Sequence, residues 1–320
     1  MNMIEGKKIS VALAAYNGSE YIVEQLDSIL DQSILPDEII VSDDCSTDDT
    51  YKIVEKYAET HPIVKIFEND VNLGFIKNFE KAAKLCKGDY ILFSDQDDIW
   101  THDHIEVLVK NSYEADLVCA NSEYMTQDGK MTGQTMKPKF FHQSGNIKID
   151  FRKMIYTQYS QGATLLIKRE MLQKILPFPP NLYHDIWMGF ATYLAGGKVK
   201  YIPQVVLHYR RWGGNVSTIN NERINRLHFI KKIQFLLSDG GVFSQLYNKI
   251  KTGISFSKSY KETPKEIKSE LVQAYLFTKD MTHNKNIKAF KYFIRNHNII
   301  FLTQNRRGIL LRIFRYFIFN

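Results

Sequence analysis

At 320 residues, with 44% hydrophobic and 24% charged side chains, the chain is long enough to bury a full core and too apolar to be disordered. The formal charge of +7 is uneven: residues 281–320 carry eight Lys or Arg and no acid, leaving residues 1–280 at −1 and excluding a nucleic-acid surface on the body. There is no 18-residue uncharged apolar run, and MNMIEGKKISVALAAYN lacks the apolar stretch of a secretory signal. Three cysteines without paired spacing (Cys45, Cys86, Cys119) read as reduced thiols in a cytosolic setting.

In chain order, β-rich runs at residues 9–15, 38–42, 64–68, 90–94 and 116–120 alternate with helical patterns near 20–32, 48–60, 75–86 and 102–113. In the first helical stretch Ile22, Leu26, Ile29 and Leu30 recur at helical spacing. This alternation predicts an α/β fold, a mainly parallel sheet with helices on both faces. Residues 121–150 are polar and read as a loop or an excursion over the site. A helix at 151–159, a strand at 163–168, a short helix, the PFPP run and a helix at 184–195 follow. Residues 198–202 and 205–209 read as two strands, and the chain beyond about 221 reads as helical. The expected division is a catalytic domain over 1–220 and a basic helical region over 221–320.

A doubly wound sheet binds ligands beyond the carboxyl ends of its strands, so the loops there carry the chemistry. After the strand YILF comes SDQDDIW. If the strand stays extended, Asp95 and Asp97 project to one side, where clustered carboxylates suit a hard divalent cation bridging phosphate oxygens. Asp98 reads as a cap for the next helix. In AAYNGSEY, Tyr16 offers a flat face for a nucleobase. In VSDDCSTDDT, Asp43 and Asp44 offer acceptors for base or ribose, while Ser46 and Asp49 fit a capping-box variant. NDVNLGFIKNF sets Lys77 near Gly74 as a diphosphate contact.

These segments, in order and spacing and continued by YHDIWMGF and HYRRWGGNVS, resemble glycosyltransferase family 2, which has the GT-A fold; the likeness covers roughly residues 8–220. The SDQDDIW form, with HD–W and YR–GNVS downstream, is most similar to the rhamnosyltransferase-type members. The resemblance implies that Tyr16, Asp43 and Asp44 hold the base and that Asp95 contacts the ribose. It implies that Asp97 binds Mg2+ or Mn2+ across the diphosphate and that Asp185 is the general base. His208 would be a further metal ligand, and Arg210 and Arg211 would steady the leaving diphosphate. Two departures stand out: His184–Asp185 replaces the usual ED pair, and RRWGG replaces the commoner QxxRW.

The activity so implied is metal-dependent, inverting transfer of a sugar, such as L-rhamnose from dTDP-L-rhamnose, onto a lipid-linked or polysaccharide acceptor. The product would be a bacterial capsule, O-antigen or cell-wall glycan. Galactosyl and N-acetylhexosaminyl transfer stay open. So do a nucleotidyltransferase, disfavoured by the single Gly18 after the first strand, and a catalytically silent glycan- or nucleotide-binding subunit. At 100° per residue, the apolar side chains of ILLRIFRYFIFN fill one arc with Arg312 and Arg315 opposite. That is the pattern of a helix lying on an anionic membrane surface. It predicts a cytoplasmic protein peripheral to the inner face of the cell membrane.

Overall fold

The computed structural model describes residues 6–136, 147–148, 151–156, 161–212 and 242–279. One compact unit comprises residues 1–149, 159–193 and 197–212; a second comprises 150–158, 194–196 and 213–320.

The first unit is built on one sheet in the order β3-β2-β1-β4-β9-β6-β10-β5. Strands β1 (Ile9–Ala15), β2 (Glu38–Asp43), β3 (Val64–Glu68) and β4 (Tyr90–Ser94) form a parallel half. The helices α1 (Ile22–Leu30), α2 (Thr50–Thr60) and α3 (Phe75–Leu85) make the crossovers between them. β1, β2 and β4 are apolar and almost wholly buried, as strands covered on both faces must be. The other half mixes directions. β9 (Leu165–Lys168) runs antiparallel to β4 and to β6 (Leu117–Thr126), and β10 (Val199–Arg211) runs parallel to β6. The short β5 (Ile99–Trp100) pairs antiparallel with β10, and α4 (His104–Asn111) follows it. A mainly parallel α/β sheet is therefore present as expected.

Three local expectations change. The two strands expected at 198–202 and 205–209 are one strand, β10, with register shifts between Tyr201 and Leu207. Pro203 lies in that interval and has no N–H to give the ladder, so the irregularity interrupts the pattern without ending the strand. Residues 121–136 are not a loop: β6 runs on to Thr126 and turns back as β7 (Met131–Thr135). The turn carries Asp128 and Gly129, the latter at φ 81°, a hairpin signal the sequence displays. β8 (Ile147–Lys148) adds a short antiparallel pairing to β10.

In the same unit α6 (Arg169–Ile175) follows β9, and α7 (His184–Leu194) is fixed by a hydrogen bond from Trp187 Nε1 to the Ile175 carbonyl, 2.8 Å. The second unit holds α5 (Phe151–Tyr156), α8 (Val242–Ser259) and α9 (Lys265–Lys279). Lys249 Nζ of α8 donates to the Met154 carbonyl at 2.7 Å, and Tyr247 stacks on Tyr275 with centroids 5.3 Å apart. No helix among the described residues is long and apolar enough to cross a membrane. The arginine-flanked arc of residues 309–318 lies outside the described residues.

Candidate active site

The loops after β1 and β2 are laced together at the carboxyl edge. Asn17 and Cys45 both adopt left-handed backbone, at φ 50° and 61°. Asn17 N–H donates to Ser46 Oγ, and its Oδ1 accepts from Thr47 N–H, at 2.9 and 2.8 Å. The Gln96 side chain clamps the backbone of Tyr16, accepting from its N–H at 2.7 Å and donating to its carbonyl at 3.0 Å. Gly18 makes that approach possible, because a Cβ there would lie 2.2 Å from Gln96 Oε1. The backbone of Tyr16 is thus fixed while the residue stays 46% exposed.

Asp43 and Asp44 are both buried. Asp43 accepts from Ser46 N–H and Oγ–H at 2.9 and 2.5 Å. Asp44 accepts from Asn69 Nδ2, Leu73 N–H and Gly74 N–H at 2.7, 2.8 and 2.9 Å. It thereby seats a carboxylate on the first turn of α3, where the helix dipole favours negative charge. Gly74 itself has φ 78°, a left-handed conformation that suits glycine. The expected Ser46–Asp49 capping box does not form. Asp49 makes no capping bond, and Asp48 instead accepts from Thr50 N–H at 3.0 Å.

Lys77, expected at a diphosphate, is turned to the protein. Its Nζ donates to Glu80 Oε2 at 2.7 Å and to the Phe178 carbonyl at 3.1 Å. Glu80 also accepts from Lys84 and from Phe178 N–H. Burial alone would raise the Glu80 pKa, but these donors outweigh it and hold the group below the ordinary value.

The SDQDD segment is grouped by a bend and not by an extended strand, because β4 ends at Ser94. Asp98 is no helix cap: it is buried, and its Oδ1 accepts from Arg210 N–H at 3.0 Å. Desolvation raises the pKa values of Asp95, Asp97 and Asp98 above the usual carboxylate range. The charges of Asp97 and then Asp185 push Asp95 further, and those of Asp97 and Asp95 push Asp98. Asp95 therefore lies within electrostatic reach of the other three carboxylates, Asp185 being delivered by the first turn of α7, 87 positions beyond Asp98.

His184, which stands where an acid is usual, sits in an aromatic box. Its ring stacks on Phe79 at 4.1 Å, with Phe93, Phe178 and Phe75 at 5.9, 6.2 and 6.4 Å. Burial drives its pKa down to about 3, so the ring is neutral at ordinary pH. A glutamate there would have to leave its charge unsolvated among phenyl rings. Gly162 lies against the imidazole: a Cβ at 162 would be 2.9 Å from His184 Nε2.

Arg210 and Arg211 do not act as a pair. Strand alternation sends them to opposite faces of β10. Arg211 stacks on the Tyr124 ring at 4.9 Å. Arg210 is 3% exposed, and each guanidinium nitrogen is engaged: Nε to the Asp97 carbonyl at 2.9 Å, one Nη to the Gln127 carbonyl at 2.8 Å, the other to Glu24 at 2.5 Å. Trp212 shares the Arg210 face, and its indole N–H donates to Asp97 Oδ2 at 2.7 Å. The sequence reading left Trp212 without a role. The signal for it is the 208–210–212 alternation along β10 and the residue that follows it.

His208 lies on that same face, paired with Ile99 immediately after the bend. It is half-buried, its pKa is lowered by desolvation, and its Nδ1 is buried with no hydrogen-bond partner among the described residues. Imidazole and carboxylate are donor types that suit a divalent cation. No three His, Cys, Asp or Glu side chains among the described residues close on one point. Fit therefore means a partial shell, completed by phosphate oxygens and water, as is common for Mg2+.

A sheet of this topology with carboxylates gathered at its carboxyl edge is a GT-A glycosyltransferase fold. The mannosyltransferase PcManGT of Pyrobaculum calidifontis, solved with GDP-Man and Mn2+, superposes with a TM-score of 0.56 at 19% identity, over 95% of this chain and 83% of its own. The chain belongs to glycosyl transferase family 2, which it matches over residues 10–176. TuaG of Bacillus subtilis, a glycosyltransferase named for teichuronic acid biosynthesis, is 32% identical over 70% of this chain and 90% of its own. The dTDP-rhamnosyl transferase RfbG of Shigella flexneri is 33% identical over 53% of this chain and 58% of its own.

Proposed function

We propose that the chain is an inverting, metal-dependent glycosyltransferase that moves a sugar from a nucleoside-diphosphate donor to an acceptor of a bacterial surface glycan. The carrying observation is that Asp95, at the carboxyl edge, lies within electrostatic reach of Asp185 on one side and of Asp97 and Asp98 on the other. In this reading the exposed Tyr16 stacks on the base, with Asp43 and Asp44 shaping the pocket wall behind it. Asp95 faces the ribose, and Asp97 and His208 hold Mg2+ or Mn2+. A bound divalent cation supplies positive charge to the departing diphosphate. Asp185 accepts the proton of the acceptor hydroxyl as that oxygen attacks the anomeric carbon, and the bond from that carbon to the diphosphate breaks on the opposite side. Arg211, exposed at the end of β10 and stacked on Tyr124 on the opposite face from Arg210, is the residue left to meet the acceptor.

The match to RfbG favours dTDP-L-rhamnose as donor, and the match to TuaG favours a cell-envelope polysaccharide as product. A lipid-linked acceptor accords with the cation-rich, apolar tail of residues 281–320, which we assign to the cytoplasmic membrane surface from its sequence pattern. In this assignment residues 1–220 carry catalysis and 221–320 the attachment. Deleting residues 308–320 then releases the protein from sedimented anionic vesicles; retention refutes the attachment.

The test of the activity is a donor panel. UDP-, GDP- and dTDP-sugars are offered with Mn2+ or Mg2+ and lipid-linked acceptors, with EDTA and Asp97→Ala as controls. Nucleotide release from one donor, abolished by both controls, is expected. Donor binding without turnover on any acceptor would instead favour a silent binding subunit.

A further inference from the structure

The Asp97–Asp98 bend is held from outside its own loop. Arg210 closes on it with side chain and backbone: Nε donates to the Asp97 carbonyl at 2.9 Å, and its N–H donates to Asp98 Oδ1 at 3.0 Å. The rest of the guanidinium is anchored away from the bend, to Glu24 on α1 and to the Gln127 carbonyl in the β6–β7 turn. Its plane covers the Tyr21 ring at 4.7 Å, and Gln127 Nε2 donates to the Tyr21 hydroxyl at 3.0 Å. Two positions on, Trp212 packs against the same Tyr21, centroids 5.6 Å apart, and donates its indole N–H to Asp97 Oδ2 at 2.7 Å. The carboxylate of Asp97 is therefore oriented by a scaffold drawn from α1, the β6–β7 turn and the end of β10, with Arg210 and Tyr21 buried at its centre.

We propose that Arg210 and Trp212 are positioning residues for the Asp97 carboxylate: Arg210 fixes the backbone of the bend, and Trp212 sets the orientation in which the carboxylate meets a divalent cation. The inference rests on the metal-dependent reading given above and adds to it the residues that make Asp97 a preorganised ligand. Partners that orient a metal ligand in this way are worth about 10- to 100-fold in metal affinity. Lysine cannot replace Arg210, because one ammonium cannot span Asp97, Gln127 and Glu24 in a fixed fork.

The experiment titrates Mn2+ into the full chain in the presence of UDP, GDP or dTDP, reading free Mn2+ by electron paramagnetic resonance. Trp212→Phe, Arg210→Lys, Arg210→Met and Asp97→Asn run beside the wild type. Trp212→Phe keeps an aromatic ring beside Tyr21 and removes the N–H donor, so it carries the test if an Arg210 variant fails to fold. Expected are a measurable wild-type affinity, its loss in Asp97→Asn, and a weakening of about 10-fold or more in Trp212→Phe, at unchanged thermal midpoint, and in folded Arg210→Lys. Wild-type affinity in a folded Trp212→Phe, with Asp97→Asn still defective, overturns the positioning role and leaves the metal reading standing. No Mn2+ binding by the wild type with any nucleotide overturns both.

Discussion

At the β1–β3 end of the sheet edge, Asp43 and Asp44 receive five hydrogen bonds from nearby backbone and side-chain donors. At the β4–β5 end, Asp95 lies close to Asp97, Asp98 and Asp185; burial raises the pKa of Asp95, Asp97 and Asp98, and neighbouring carboxylates raise those of Asp95 and Asp98 further. The residue type and the edge are the same, but the work differs. Satisfied carboxylates tie loops to the frame and set the floor of a pocket. Crowded ones store an unmet demand for positive charge, which an incoming cation or proton relieves. A substitution should therefore cost stability at one end and chemistry at the other.

The largest effect is expected at the crowded end. Asp185→Asn keeps the shape of the side chain and removes its capacity to take a proton, so the turnover rate falls by about 10²- to 10⁴-fold. Donor affinity and the thermal midpoint hold. Single-turnover kinetics with an excess of enzyme, alongside equilibrium donor binding, separate the two quantities. An equal loss of donor affinity would mean that Asp185 serves binding and not proton transfer.

Next comes Asp44→Ala at the satisfied end. It removes three accepted bonds and leaves the Leu73 and Gly74 N–H groups at the start of α3 without their carboxylate. Hydrogen bonds to a charged group are worth more than neutral ones, and a loss of about 2–4 kcal/mol in unfolding free energy is expected. Urea unfolding measures it. A stable variant with a selective loss of donor binding would show that Asp44 belongs with the ligand and not with the frame.

Much of this was legible in the sequence. The alternation of apolar strand and amphipathic helix gave the parallel half, because strands buried on both faces leave long apolar runs. The edge loops could be placed as soon as the strands were. What the sequence hid was direction. Asp43, Asp44 and Lys77 look like ligand contacts because their types suit phosphate and ribose, and only geometry shows them bonded to Ser46, Gly74 and Glu80. Arg210 reads as a contact for the leaving diphosphate, and only geometry shows its guanidinium engaged by Asp97, Gln127 and Glu24. Its partner Glu24 is 186 positions away, a distance no local pattern spans. His184 in place of an acid makes sense only once the four phenylalanines around it are seen.

The smallest effect tests the comparison by pH. Glu80 is a satisfied carboxylate whose pKa lies below its ordinary 4.5: burial opposes the shift, and the bonds from Lys77, Lys84 and Phe178 N–H outweigh it. A depressed folded pKa means that its contribution is fully present above 4.5 and is lost as pH falls through the folded value. Glu80→Gln has no charge to lose. The wild type should therefore be more stable than Glu80→Gln by about 1 kcal/mol near pH 7, the worth of a charged over a neutral acceptor. The gap should close as pH falls below 4.5, read as the difference between paired urea curves. Crowded carboxylates behave in the opposite sense, since a raised pKa gains from protonation, and pairing the two proteins at each pH cancels that background. A gap that stays constant down to the acid limit would place the worth of Glu80 in its packing. The charge-satisfied class would then rest on Asp43 and Asp44 alone.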